Sequence, residues 1–274
     1  MKKRVRKILH HAPTIFLISG LLAAAIAHFF GTKEIELSAV LCPPTSSHPW
    51  GCDAFGRDLF LGTLRGAWNS VGFALAATAT SLVLGVTTGL VVAQGRDGRG
   101  SPTLESLLAG ILAFPSLLLA LAWSAARGGG FSTLLGALVL GSFPGFARLV
   151  LVRARELKST AYLEASQAAG ANPFQQSLRH LLPACLELAR AKAPALFAQT
   201  LLAEATLSFL GVGAPLGTET WGRALAQGRD YLIEAPHIAL ASGIPLVITV
   251  LCAQILADRW DRKSLAASQD SKLT

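Results

Sequence analysis

The stretch Val71–Ala93, VGFALAATATSLVLGVTTGLVVA, contains no charged side chain. A helix needs roughly 20 apolar residues to cross the hydrocarbon core of a bilayer, so this stretch is long enough to span one. Its middle, Leu75–Gly89, mixes Leu and Val with Ala, Gly, Ser and Thr. Small residues let helix backbones approach closely where lipid supplies no hydrophobic drive. The segment therefore reads as one member of a packed bundle rather than an isolated anchor. Working outward, five more segments qualify: Pro13–Phe30, Leu104–Ala126, Phe131–Val152, Ala193–Val212 and Ile238–Ala257. The expected fold is an all-α membrane protein with six transmembrane helices.

Composition agrees. Of 274 residues, 52% are hydrophobic and 15% charged, against about 25% charged in soluble domains. The net charge of +8 does not imply nucleic acid as a partner. The basic residues sit at the ends of apolar runs, and no series of alternating basic and aromatic residues occurs. Membrane lipid is the expected surrounding.

Lys and Arg set the orientation. The start of the chain carries Lys2, Lys3, Arg4, Arg6 and Lys7. It resembles the positive region of a signal peptide, but the apolar run is long and no small-x-small cleavage site follows Phe30, so it reads as a retained first span. With six spans, the basic stretches around Arg96 and Arg99, Arg153 to Arg179, and Arg259 to Lys272 fall on the same side as this terminus. Both termini are expected in the cytoplasm. Glu187, Arg190 and Lys192, at the foot of span five, read as local ion pairs that snorkel to the interface.

Two extramembrane pieces are sizeable. Gly31–Ser70 is polar, holds Pro43-Pro44, and is expected to be a mostly irregular outer segment. Cys42 and Cys52 both lie in it, either as a disulfide or as two free thiols; the four cysteines show no metal-type spacing. Arg153–Pro183 reads as helix, tight turn, helix. Gly170 ends the first helix in the left-handed conformation, Asn172 caps the next with Pro173 at its first position, and Pro183 reads as a stop or kink.

That inner loop also carries a motif. It reads Tyr-Leu-Glu-Ala-Ser-Gln-Ala-Ala-Gly from Tyr162 and Arg-His-Leu-Leu-Pro from Arg179. This resembles the EAA loop of binding-protein-dependent ABC importer permeases, with Glu164, Ala165, Gly170, Leu182 and Pro183 in register and Ser166 in place of the second Ala. His48-Pro49-Trp-Gly51-Cys-Asp53-Ala-Phe-Gly56-Arg57-Asp58, Ala113-Phe-Pro-Ser116, Leu202–Gly211 and Trp221-Gly222 are similar to segments of the dipeptide/oligopeptide/nickel branch, closest to its C-type permease.

The resemblance implies a type I ABC importer permease fold. Residues 1–68 would hold the first helix and outer segment, 69–258 a five-helix transmembrane domain with its coupling helix-turn-helix at 153–183 between spans four and five, and 259–274 a tail. It implies a cytoplasmic (inner) membrane location. The partners implied are a second, homologous permease as heterodimer, two ATP-binding cassette ATPases and an extracytoplasmic solute-binding protein. ATP and Mg²⁺ would be used by those ATPases, with no cofactor bound by this chain; no G-x-x-x-x-G-K-[ST] loop is present. Di- or oligopeptide is the expected solute, with nickel, glutathione and opine as alternatives.

Within the membrane, Glu204 stands with Gln199 and Ser208. Glu204 and Ser208 share a helix face. An ionisable group at that depth is a functional candidate, for the solute path or for helix packing. Pro115 and Pro144 are kinks or hinges. His48, Asp53, Arg57 and Asp58 hold donors a metal can use, but the resemblance implies a structural turn there and no metal. An intramembrane enzyme built on Glu204 would need a second catalytic group at matching depth, and none is clearly placed. A purely structural assembly protein would leave the inner helix-turn-helix without a task.

Overall fold

The computed structural model describes residues 2–30, 36–94, 102–161, 163, 170 and 172–273. Helices dominate them. They are α1 (Lys2–Phe30), α2 (Leu59–Ala93), α3 (Pro102–Leu112), α4 (Ser116–Arg127), α5 (Phe131–Lys158), α6 (Pro173–Gln176), α7 (Leu182–Phe209), α8 (Trp221–Arg229) and α9 (His237–Leu273).

Among the described residues, three helices are long and apolar enough to cross a membrane: α2, α5 and α9 over His237–Arg262. The pair α3 and α4 makes a fourth if counted as one broken span. The helix α7 carries Glu187, Arg190, Lys192 and Glu204 and is not among these. In α1, Ile18, Leu22, Ile26 and Phe29 are exposed at helical spacing, while Ala24 and Ala27 are buried. That is the pattern of a helix with one lipid-facing stripe.

The expected single span Leu104–Ala126 is broken. Its two halves, α3 and α4, meet at 88° across Ala113-Phe114-Pro115. Pro115 has no N–H to give, and a residue before proline avoids the helical region. Pro144, by contrast, lies inside α5 without ending it.

Element boundaries also differ from expectation. Of the expected outer segment Gly31–Ser70, residues 36–58 are irregular apart from one 3-10 turn, Leu37–Ala39, and Leu59–Ser70 belongs to α2. The Asp58 carboxylate accepts a hydrogen bond from the Leu61 N–H at 2.9 Å and starts the helix there. Polar residues hid this start: Arg65 and Ser70 are buried in α2 by tertiary partners. Pro183 does not stop the chain. A single π turn, Ser177–Leu181, leads directly into α7, which has the proline in its first turn. An N–H missing there is an orphan in any case.

The core lies where α2, α5 and α7 pack. Gly85 and Gly89 of α2 face α5 so closely that a Cβ on Gly89 would stand 2.7 Å from the Ala147 carbonyl oxygen and from Val150. Thr78 and Thr200 share a hydrogen bond of 2.8 Å between α2 and α7, and Ser81 and Ser142 one of 2.7 Å between α2 and α5. These small polar residues join helices at sites where backbones come near.

Candidate translocation cavity and coupling segment

The outer motif folds into a compact knot. Cys42 and Cys52 form a disulfide with Cα atoms 4.9 Å apart; a loop of this length gains about 3 kcal/mol from closure. Asp53 accepts from the N–H groups of Phe55 and Arg57 at 2.8 and 2.9 Å, and from the Arg57 guanidinium. His48 pairs with Asp58 at 2.9 Å. Gly51 and Gly56 both take positive φ, and His48-Pro49 forms the turn that precedes them. No group of three or more metal-ligating side chains converges among the described residues.

The knot is tied to α8, which sequence reading missed. Arg65 of α2 donates to Glu219 at 2.9 Å, and Arg57 approaches the same carboxylate. Trp221 is buried; its backbone N–H donates to Ser70 and its indole N–H to the Thr63 carbonyl. The Arg223 guanidinium gathers the carbonyls of Ala214, Pro215 and Thr218. Trp221 in a polar stretch was the available signal, since a large aromatic beside a capping Thr220 marks a short buried helix start.

The expected set Gln199, Glu204 and Ser208 divides in two. Glu204 is fully buried and accepts from Ser208 at 2.7 Å. Ser70 of α2 and Thr220 at the start of α8 lie against the same carboxyl. This cluster packs helices together and does not line the cavity between α5 and α7. Gln199 is exposed and does line it.

That cavity, about 650 Å³, lies between the α3–α4 elbow, α5 and α7. Its floor on α7 runs from Lys192 through Leu196 and Gln199 to Ala203. One helix face spaced over that range is about 16 Å long. Phe114, Leu138, Phe146 and Leu149 give apolar walls. The volume falls in the range of small-molecule sites, roughly 300–1,000 Å³.

At the opposite end of α2 from the knot, the described residues of the 153–183 segment are braced. Glu164, Ala165 and Ser166 lie outside the described residues. Gly170 is an exposed turn with φ +85°. Asn172 caps α6, its side chain accepting from the Phe174 N–H at 3.1 Å, with Pro173 first in the helix. Leu163 and Leu181 are buried in one cluster with Val92, Val150, Leu151 and Cys185. Gln94, at the end of α2, donates to Ser177 at 2.9 Å. Lys158 donates to the Ala93 carbonyl, where a cation suits a helix C-terminus. Arg155 forks onto Glu105 at 2.6 and 3.0 Å. Leu182 is half-buried and Pro183 exposed. Between these anchors, Phe174 and Leu178 stand exposed one helical turn apart.

The architecture is that of a helical protein with several apolar spans, a cavity between the α3–α4 elbow, α5 and α7, and a braced 153–183 segment. Residues 85–265 match the family model described as "binding-protein-dependent transport system inner membrane component". A putative peptide transport system permease protein of Brucella suis is 36% identical over 247 residues, covering 89% of this chain and 83% of the relative. A glutathione transport system permease protein of Pectobacterium atrosepticum is 31% identical over 215 residues, 78% of this chain and 71% of the relative. Among solved structures, an inward-facing MetNI methionine ABC transporter chain superposes with a TM-score of 0.60 at 22% identity, over 74% of this chain and 95% of that one. The chain belongs to the binding-protein-dependent transport system inner membrane component family. It is a permease component of an ABC importer and not an enzyme.

Proposed function

We propose that this chain carries di- or oligopeptides across the cytoplasmic membrane as one half of a heterodimeric permease. In this reading α1, the α3–α4 pair and α7 cross the bilayer along with α2, α5 and α9, six spans in all, with both termini in the cytoplasm. The disulfide knot then faces the oxidising side, where such bonds persist. Two ATPase subunits bind ATP and Mg²⁺ beneath; this chain binds neither. A solute-binding protein docks outside, near the segment from His48 to Asp58. ATP binding closes the ATPases, the 153–183 segments move, and the cavity between the permeases opens outward; hydrolysis returns it inward.

The observation that carries the reading is the bracing of the inner segment. Leu163, Leu181 and the Gln94–Ser177 bond attach it to the inner ends of α2 and α5, while Phe174 and Leu178 remain uncovered. A push on the exposed side is therefore delivered to the spans as a rigid-body motion. The names of the relatives favour peptide or glutathione over nickel or opine.

The test is reconstitution. The purified chain alone is expected to hydrolyse no ATP. The full complex with binding protein is expected to take up labelled tripeptide only when ATP is supplied. Sustained ATP turnover by the single chain would contradict the reading.

A further inference from the structure

The cavity offers a solute very few polar groups. Ser142 already donates to backbone and shares a hydrogen bond with Ser81, and Thr200 is committed to carbonyls and to Thr78. The amide of Gln199 makes no hydrogen bond among the described residues and is exposed on the wall. Among the described residues, Lys192 is the one charged side chain on that lining, and no carboxylate lines it. Lys192 stands at one end of the lining on α7, which the proposed topology makes the inner mouth, and its ammonium meets Asp261 of α9 at 2.5 Å; both side chains are 36% exposed. Asp261 is not part of the cavity lining. The spacing from Lys192 to Gln199 along α7 is about 10 Å, the reach of roughly three residues of extended chain.

We infer that Lys192 is a specificity-determining residue that receives a solute carboxylate at the inner mouth, so that the cavity favours short peptides with a free C-terminus over metal cations. The inference rests on the peptide reading above and deepens it. A carboxylate moving along apolar walls has lost much of its hydration, and a cation at the exit offsets that loss. A hydrated metal cation finds no acidic group among the described residues of the lining. Gln199, midway, can hydrogen-bond a peptide amide in either sense. Asp261 pairs with the lysine ammonium from α9 without joining the lining.

The test uses the complete importer in proteoliposomes, with trialanine and trialanine amide as probes, each delivered by saturating binding protein. Lys192→Gln is expected to slow trialanine uptake about tenfold, the size of a lost charge-assisted hydrogen bond, and to leave the amide within about twofold. Lys192→Arg is expected to restore the wild-type preference. Asp261→Asn is expected to keep the ratio between the two probes. If Lys192→Gln slows both probes equally, or neither, the assignment is overturned and the pair with Asp261 is a structural tie. A wild-type complex that moves neither probe overturns the peptide reading, and this inference with it.

Discussion

Gly89→Leu is expected to remove nearly all folded permease from the membrane. The site has no room even for a methyl group. A Cβ would sit 2.7 Å from the Ala147 carbonyl oxygen and from Val150 Cβ, so the obstruction is partly backbone. Overpacking of a tight core costs typically 1–3 kcal/mol; here the whole α2–α5 crossing must separate, and the cost lies at or above that range. Gly85 meets Phe146 on the same crossing, so relief on one side tightens the other. The measurement is size-exclusion of a fluorescent fusion after solubilisation, with its melting temperature. Gly72→Ala, on the same helix with nothing within 4 Å of the added carbon, is the control and is expected to match or exceed wild type by up to ~1 kcal/mol from helix propensity.

The second large effect is expected at Gly170, and it should strike function rather than folding. The residue has φ +85° and open space around its missing Cβ. Strain there comes from the backbone alone. A β-branched residue resists that conformation by roughly 1–2 kcal/mol, while Asn visits it readily. Gly170→Val is therefore expected to leave the bundle intact, misplace the cap at Asn172, and reduce ATP-driven uptake at least tenfold. Gly170→Asn is expected to keep most of the activity. Uptake and co-purification of the ATPases are read side by side. Normal values for both in Gly170→Val would show that the turn has no part in coupling.

Much of this architecture was legible in the sequence, for physical reasons that also explain the exceptions. Apolar length located α2, α5 and α9, because lipid demands it at every turn of a spanning helix. It misjudged where α2 begins, because Arg65 and Ser70 look like surface residues until Glu219 and Trp221 arrive from a distance of some 150 positions. Hydropathy did not show the elbow at Pro115, since α3 and α4 are apolar on both sides of it; the proline was the signal. The cap at Asn172-Pro173 was readable, being entirely local. Pro183 misled because a proline ends a helix or begins one according to what precedes it, and here a π turn does.

The candidate site was legible only in parts. Glu204 was marked by its charge in an apolar run, yet its partners, Ser70 and Thr220, lie on other helices and no spacing announces them. Lys192 was visible as an interfacial cation; that it borders a cavity depends on the elbow of α3–α4, which no local pattern contains. Tertiary juxtaposition, rather than residue type, decided which polar groups line the cavity.

The central claim is that the segment 153–183 is a braced lever on the cytosolic side, moved by ATPase partners. It is tested most directly by placing a cysteine at Gln175, an exposed position on α6, after Cys185 and Cys252 are changed to serine. A membrane-impermeant maleimide is then applied to spheroplasts and to inverted vesicles. The account predicts labelling in inverted vesicles only, with protection when the ATPase subunits are bound. Labelling of intact spheroplasts would contradict it.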